Sequence, residues 1–127
     1  MAHVSTHLAA NDLRLTLGAG AMTTPITVHH LAHSRSQRVL WLLEELDADY
    51  RIERYERDPE TGLAPASLRA IHSLGKSPVI TDGERVVAES GAIVEYLLDR
   101  CDAGHRLRPS ADTEAFLDYR YWLHYAE

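Results

Sequence analysis

The stretch from Ser73 to Ala92 constrains this chain more than any other, because three structural events are packed into twenty residues. Asp82-Gly83 stands between two short β-branched runs, Val79-Ile80-Thr81 and Val86-Val87, and a pair of this kind predicts a tight antiparallel hairpin since the turn needs residues that accept positive φ. Pro78 heads the first of those strands. It cannot donate to a ladder, so it belongs at a strand start or an edge, and its peptide bond is open to the cis form. Ser90, Gly91 and Ala92 then open an apolar periodic segment, which places a helix N-terminus directly behind the second strand. Loop, proline, hairpin and helix start converge on one place.

Upstream, Ile26 to His30 alternates and is rich in β-branched residues, which predicts a strand. Leu31 to Arg35 reads as a turn. From Ser36, Val39, Leu40, Leu43 and Leu46 recur at spacings of three and four, with Trp41 and Leu42 widening the apolar surface, so an amphipathic helix is expected to end near Asp47. Tyr50 to Tyr55 reads as a second strand. Asp58-Pro59 and Thr61-Gly62 mark a loop, after which Pro65 suits the first turn of a short helix through Ala66, Leu68 and Ile71. Beyond the hairpin, Ile93, Val94, Leu97 and Leu98 make one face of a helix running from Ser90 to about Arg100.

The resulting order is strand, helix, strand, helix, strand, strand, helix. Two parallel strands joined through a helix and closed by an antiparallel hairpin make an α/β sandwich of the thioredoxin-like type, βαβ-α-ββα. Residues 102–110 read as a linker. Residues 111–127 carry Phe116, Leu117, Tyr119, Trp122 and Leu123 and begin another amphipathic helix, expected to be the first of an incomplete all-α domain. Residues 1–24 lack sustained periodicity and read as a leader or extension of low order, leaving 25–101 as the α/β domain.

Composition narrows the function classes. With 127 residues, 45% apolar and 25% charged, the chain suffices for one globular core. A net charge of −6 argues against nucleic-acid and anionic-membrane partners. No apolar run approaches the roughly 18 residues of a membrane span, and Met1 to Ala21 lacks the pattern of a secretory signal. Cys101, the single cysteine, allows neither an internal disulfide nor a Cys-x-x-Cys redox pair, so a cytoplasmic setting is expected. The eight histidines build no metal site, since His29 and His30 are neighbours on a strand and point to opposite faces.

Three fragments, Ser34 to Leu46, Gly75 to Ile80 and Ala88 to Leu97, each resemble motifs of the cytosolic glutathione S-transferases, and they stand in the family's order. The resemblance runs from about Ile26 to Arg100. It implies a thioredoxin-like domain that binds glutathione as co-substrate without a metal, a helical domain that supplies most of the pocket for a small electrophile, and pairing of two copies as a homodimer.

What such chemistry needs is a thiolate. A free thiol with a pKa of about 8.5 is only about 3% ionised at pH 7. Lowering that pKa by about 2 units takes about 2.7 kcal/mol. One hydrogen bond to the charged sulfur, about 1.5 to 3 kcal/mol, together with a helix N-terminus, about 0.3 to 1 kcal/mol, is enough. The required group is a hydroxyl donor at the start of the first helix. By its match to serine-type members the resemblance assigns Ser34 as this catalytic residue, with Ser36 as the alternative and His33 third. Capping the helix is the other role open to either serine.

The resemblance also implies that Glu89-Ser90 holds the γ-glutamyl end, the hydroxyl and free backbone donors suiting its carboxylate and the acid its ammonium. An N-cap is the plainer role for that pair. Ser77, where many relatives carry an aliphatic residue, would exchange main-chain hydrogen bonds with the cysteinyl part, beside a cis Pro78 that turns the edge. Lys76 is the first candidate for a carboxylate of the tripeptide, ahead of Arg35 and Arg69. Cys101 reads as structural. A glutathione transferase is thus expected, with a noncatalytic glutathione-binding or protein-interaction module and a glutathione-dependent peroxidase as alternatives. Glutaredoxin-like chemistry is disfavoured because no cysteine opens the first helix.

Overall fold

The computed structural model describes residues 24–127. The expected leader lies almost wholly outside them. The described chain folds as β1 (Ile26–Leu31), α1 (Ser36–Glu45), β2 (Tyr50–Tyr55), α2 (Ala66–Ile71), β3 (Val79–Asp82), β4 (Arg85–Ala88), α3 (Ser90–Cys101) and α4 (Glu114–Tyr125). The four strands form one mixed sheet in the order β2-β1-β3-β4, with β1 parallel to β2 and antiparallel to β3. This is the thioredoxin-like arrangement expected from the order of elements.

Strand β1 is central, and its alternation decides the layers. Ile26 and Val28 turn to the face where Val39 and Leu43 of α1 meet Ile93, Leu97 and Leu98 of α3, with Ile80 of β3 closing the main core. Leu31 turns to the other face and packs with Tyr55, Ala64 and Leu68 around α2. Helices therefore cover both faces of the sheet. Among the described residues, no helix is long and apolar enough to cross a membrane.

Three local expectations need correction. Trp41 is not part of the core: it is 69% exposed, and its indole N–H donates to Glu45 one helical turn on. The hairpin turn lies one residue later than Asp82-Gly83, because Asp82 still pairs with Arg85 in the ladder and Gly83, at φ 59°, takes the first central position. Asp82 instead accepts from Tyr96 and Arg100 of α3, tying the hairpin to the helix that follows. The final helix begins at Glu114 behind Thr113, where Asp112 still belongs to the turn.

Two buried titratable groups make the fold sensitive to acid. His29, only 5% exposed, lies between the Tyr55 hydroxyl at 2.9 Å from Nδ1 and the Thr81 hydroxyl at 3.1 Å from Nε2. Its burial lowers the imidazole pKa, and the attraction of Glu53 offsets part of that. Asp102, at the end of α3, accepts from the backbone N–H groups of Arg106, Leu107 and Arg108 and so anchors the connection to α4. Burial alone would raise its pKa, but those three donors outweigh it and hold the carboxyl below its ordinary value.

The consequences follow in sequence as pH falls. Below about 6.5 the unfolded chain protonates His29 before the folded chain does, so stability declines until the lowered folded pKa is passed. Below about 3.9 the same holds for Asp102, whose contribution is lost as pH falls through its folded pKa. Urea midpoints measured between pH 8 and pH 3 are expected to drop in both windows. A His29→Phe variant should show a smaller drop in the first; an unchanged drop there would refute the assignment.

Candidate functional site

A cleft with a volume of about 680 Å³ lies within the roughly 300–1,000 Å³ range usual for small-ligand sites. It opens where β1 runs into α1, and its wall includes Ser34, Lys76, Ser77, Pro78, Glu89 and Ser90. All six residues expected from the sequence to form a site thus border one space, although 56 positions separate the first from the last in the chain. Pairing of β3 against β1 places the Gly75–Pro78 loop beside the β1–α1 turn, and the short hairpin returns the start of α3 to the same edge.

Ser34 and Ser36 have different environments. Ser36 is fully buried and lies off the cleft, with its Oγ 2.7 Å from His30 Nδ1 and 2.7 Å from Ser34 Oγ. It is not a cap: the N-cap position of α1 is Arg35, which makes no side-chain capping bond, and Ser36 is already the first helical residue. Ser34 Oγ instead accepts the Ser36 backbone N–H at 3.3 Å, and it reaches Ser77 Oγ at 3.2 Å. Ser34 therefore combines an acceptor contact to the helix start with a hydroxyl on the cleft wall. His33 also borders the cleft, in a left-handed conformation at φ 56°, and is exposed.

The Ser77–Pro78 bond is cis. Ser77 contributes more than backbone. Its hydroxyl donates to the His29 carbonyl at 2.9 Å and accepts from Leu31 N–H at 3.4 Å, binding the loop to the last turn of β1. Gly75, next to it, has φ 58°, and a Cβ there would approach Arg69 Cγ to 2.6 Å, so this corner of the wall requires glycine. Arg69 packs behind the wall, donating to the Ala64 carbonyl, and does not line the cleft.

At the far side, Glu89 is the N-cap residue of α3 with φ 71° and ψ 124°, an unusual conformation for a residue with a side chain. It makes no side-chain capping bond, and neither does Ser90 hold the N-cap position; Ser90 is the first residue of the helix, buried against the cleft. The backbone donors of the first turn point outward from this end, which favours an anion there.

The cationic side of the cleft holds three groups. Lys76 is exposed on the wall. Arg35 is paired with Glu127 at 2.9 Å. Arg57, which the sequence did not single out, donates to the carbonyls of Ala32, Gly62 and His33 and so ties the β1–α1 turn to the loop after β2 while keeping its charge at the cleft. Its place at the C-terminal end of a parallel strand was the available signal, since ligand sites of α/β sheets gather at that edge. Cys101 lies away from the cleft at the end of α3, half-buried, where burial raises its thiol pKa.

Residues 24–99 match the family described as "Glutathione S-transferase, N-terminal domain". The chain is 40% identical over 103 residues to glutathione S-transferase 3 of Schizosaccharomyces pombe, covering 80% of this chain and 41% of that protein. It is 41% identical over 113 residues to glutathione S-transferase 1 of Saccharomyces cerevisiae, covering 84% and 47% respectively. A crystal structure of a glutathione S-transferase from Actinobacillus pleuropneumoniae superposes with a TM-score of 0.73 at 48% identity, covering 78% of this chain and 46% of that one. The chain spans less than half the length of each of these relatives. Over its α/β portion the sequence match, the fold and the order of motifs coincide, and this chain belongs to the glutathione S-transferase family through that N-terminal domain.

Proposed function

We propose that residues 25–101 form the glutathione-binding unit of a glutathione transferase, with 102–110 as linker and 111–127 as the first helix of a helical unit. The observation that carries this reading is the shared cleft of Ser34, Pro78 and Ser90: a hydroxyl at a helix start, a strand edge and a second helix start face one volume suited to a tripeptide. Ser34 donates its O–H to the sulfur of glutathione and keeps it ionised. The main-chain N–H and C=O of Ser77, which take no partner among the described residues, pair with the cysteinyl part. Ser90 and the first-turn N–H groups of α3 receive the γ-glutamyl carboxylate, Glu89 the ammonium, and Lys76 with Arg57 the glycyl carboxylate.

The reaction is then a displacement or addition. The thiolate sulfur attacks an electrophilic carbon, a C–S bond forms, and the electron pair leaves with the departing group or is protonated from water. A second reading, a noncatalytic binding module, is favoured by the exposed Leu117, Tyr121, Trp122 and Tyr125 on α4, an apolar face available to another surface. Calorimetric titration with glutathione, followed by conjugation of a generic aromatic electrophile, separates the two. Binding of one glutathione per chain with turnover is expected. Binding without turnover favours a glutathione-binding module, and absence of binding overturns the glutathione-binding reading.

A further inference from the structure

We infer that His30 is a positioning residue that sets the direction of the hydroxyl protons behind Ser34, so that the Ser34 proton is released toward the cleft. This rests on the reading of Ser34 as the thiolate donor. His30 lies on the α1-facing side of β1, and its Nδ1, Ser36 Oγ and Ser34 Oγ form a continuous chain with two successive separations of 2.7 Å. Ser36, in the middle, is fully buried, and its hydroxyl lies between the other two groups.

Each separation holds one hydrogen, and each hydroxyl owns only one. The chain therefore has two orientations. If Nδ1 is an acceptor, Ser36 donates to it, and Ser34 must donate to Ser36; the only Ser34 hydrogen is then turned inward. If Nδ1 carries the hydrogen, it donates to Ser36, and Ser36 donates to Ser34. In that second orientation Ser34 Oγ receives two hydrogen bonds, from Ser36 Oγ–H and from the Ser36 backbone N–H, so its own hydrogen is left to point outward. Only then can Ser34 donate to a sulfur in the cleft.

Ser77 supplies the resting place for that hydrogen. Its Oγ is 3.2 Å from Ser34 Oγ, and because its own hydrogen goes to the His29 carbonyl it is free to accept the Ser34 hydrogen. When a thiolate arrives, the hydrogen swings to the sulfur. Ser77 loses little, because it still donates to the His29 carbonyl and accepts from Leu31 N–H. Successive donors along such a chain polarise one another, so His30 and Ser36 also strengthen the final bond. The fold supplies the reason that the relay is rigid: His30 is held by the central strand and Ser36 by the first turn of the helix that covers it.

The test is a pH titration of glutathione bound to the 127-residue chain, read by the ultraviolet absorbance of its thiolate. Replacing His30 by leucine, or by valine, is expected to raise the bound thiol pKa by roughly 0.5 to 1 unit, a roughly 3- to 10-fold smaller thiolate fraction below that pKa. His30→Asn sets an amide N–H close to the position of Nδ1–H, and its pKa is expected to stay within about 0.3 unit of the parent. Affinity for S-methylglutathione, which has no thiol to ionise, should be retained in all three, and this reports an intact cleft.

A parent-like pKa in His30→Leu, or a shift in His30→Asn as large as in His30→Leu, overturns the inference. If His30→Leu fails to bind S-methylglutathione, His30→Val decides, and a parent-like pKa there overturns it equally. Ser34→Ala separates the two levels: a raised pKa in that variant with none in the others removes only the role of His30, whereas an unchanged pKa in Ser34→Ala, or no binding of glutathione by the parent, removes the underlying reading as well.

Discussion

Glutathione bound to a Ser34→Ala variant is expected to titrate roughly 1 to 2 pKa units higher than on the parent chain, corresponding to the loss of about 1.5 to 3 kcal/mol from one hydrogen bond to a charged sulfur. At a pH below both values the thiolate fraction falls by roughly 10- to 100-fold, and any conjugation rate falls with it. Binding itself should change little, because in the proposed binding mode Ser34 meets only the sulfur while both ends of the tripeptide rest on other groups. The side chain removed is small, and a water entering from the cleft at the place of the lost hydroxyl takes over the bond from the Ser36 N–H. A variant that loses affinity and rate together, with no change in thiol pKa, would show that Ser34 shapes the cleft instead of holding the sulfur.

A Leu43→Ala variant is expected to lose about 2 to 5 kcal/mol of stability. Leu43 is fully buried where α1 meets the sheet and α3, and truncation leaves a cavity among Val39, Ile80, Ile93 and Leu97. For a domain of this size, with total stability of about 5 to 15 kcal/mol, a loss near 3 kcal/mol is a large share. It lowers the thermal midpoint by roughly 12 to 24 °C. Trp41→Ala, two positions away on the same helix, should lie within about 0.5 kcal/mol of the parent, because its ring is in water and its one hydrogen bond is to an exposed glutamate. Thermal melts of the two variants side by side check both values. Equal losses would mean that the exposed face of α1 is covered in the folded chain.

The contrast between Leu43 and Trp41 shows where pattern reading stops. Periodicity identifies a helix and the centre of its apolar stripe, but Trp41 sits at the stripe's margin, and burial at a margin depends on which neighbour stands beside it. No neighbour in the described fold covers that side. The same limit explains the hairpin: glycine at Gly83 marks the turn, yet whether Asp82 lies in the turn or in the ladder depends on the register against Arg85. Tyr96 and Arg100 reward the ladder position by binding the Asp82 carboxylate.

At the site, the residue types and their order were legible because each does a local task. Pro78 must start a strand, and Ser34 and Ser90 must stand near helix starts; adjacent residues alone impose these conditions. For His29 and His30 only the placement on opposite faces of a strand was legible. The partners were not legible. Tyr55 lies 26 positions from His29 and Thr81 52 positions from it, and Ser77 is 43 positions from Ser34. Spacings of that length carry no periodic signal. Element identity and the entry points of the cleft come from short-range sterics and hydrophobic alternation, and the one-dimensional chain contains both; the choice of which hydroxyl faces ligand and which is sealed behind it follows from strand pairing and helix docking, which exist only once the sheet has closed.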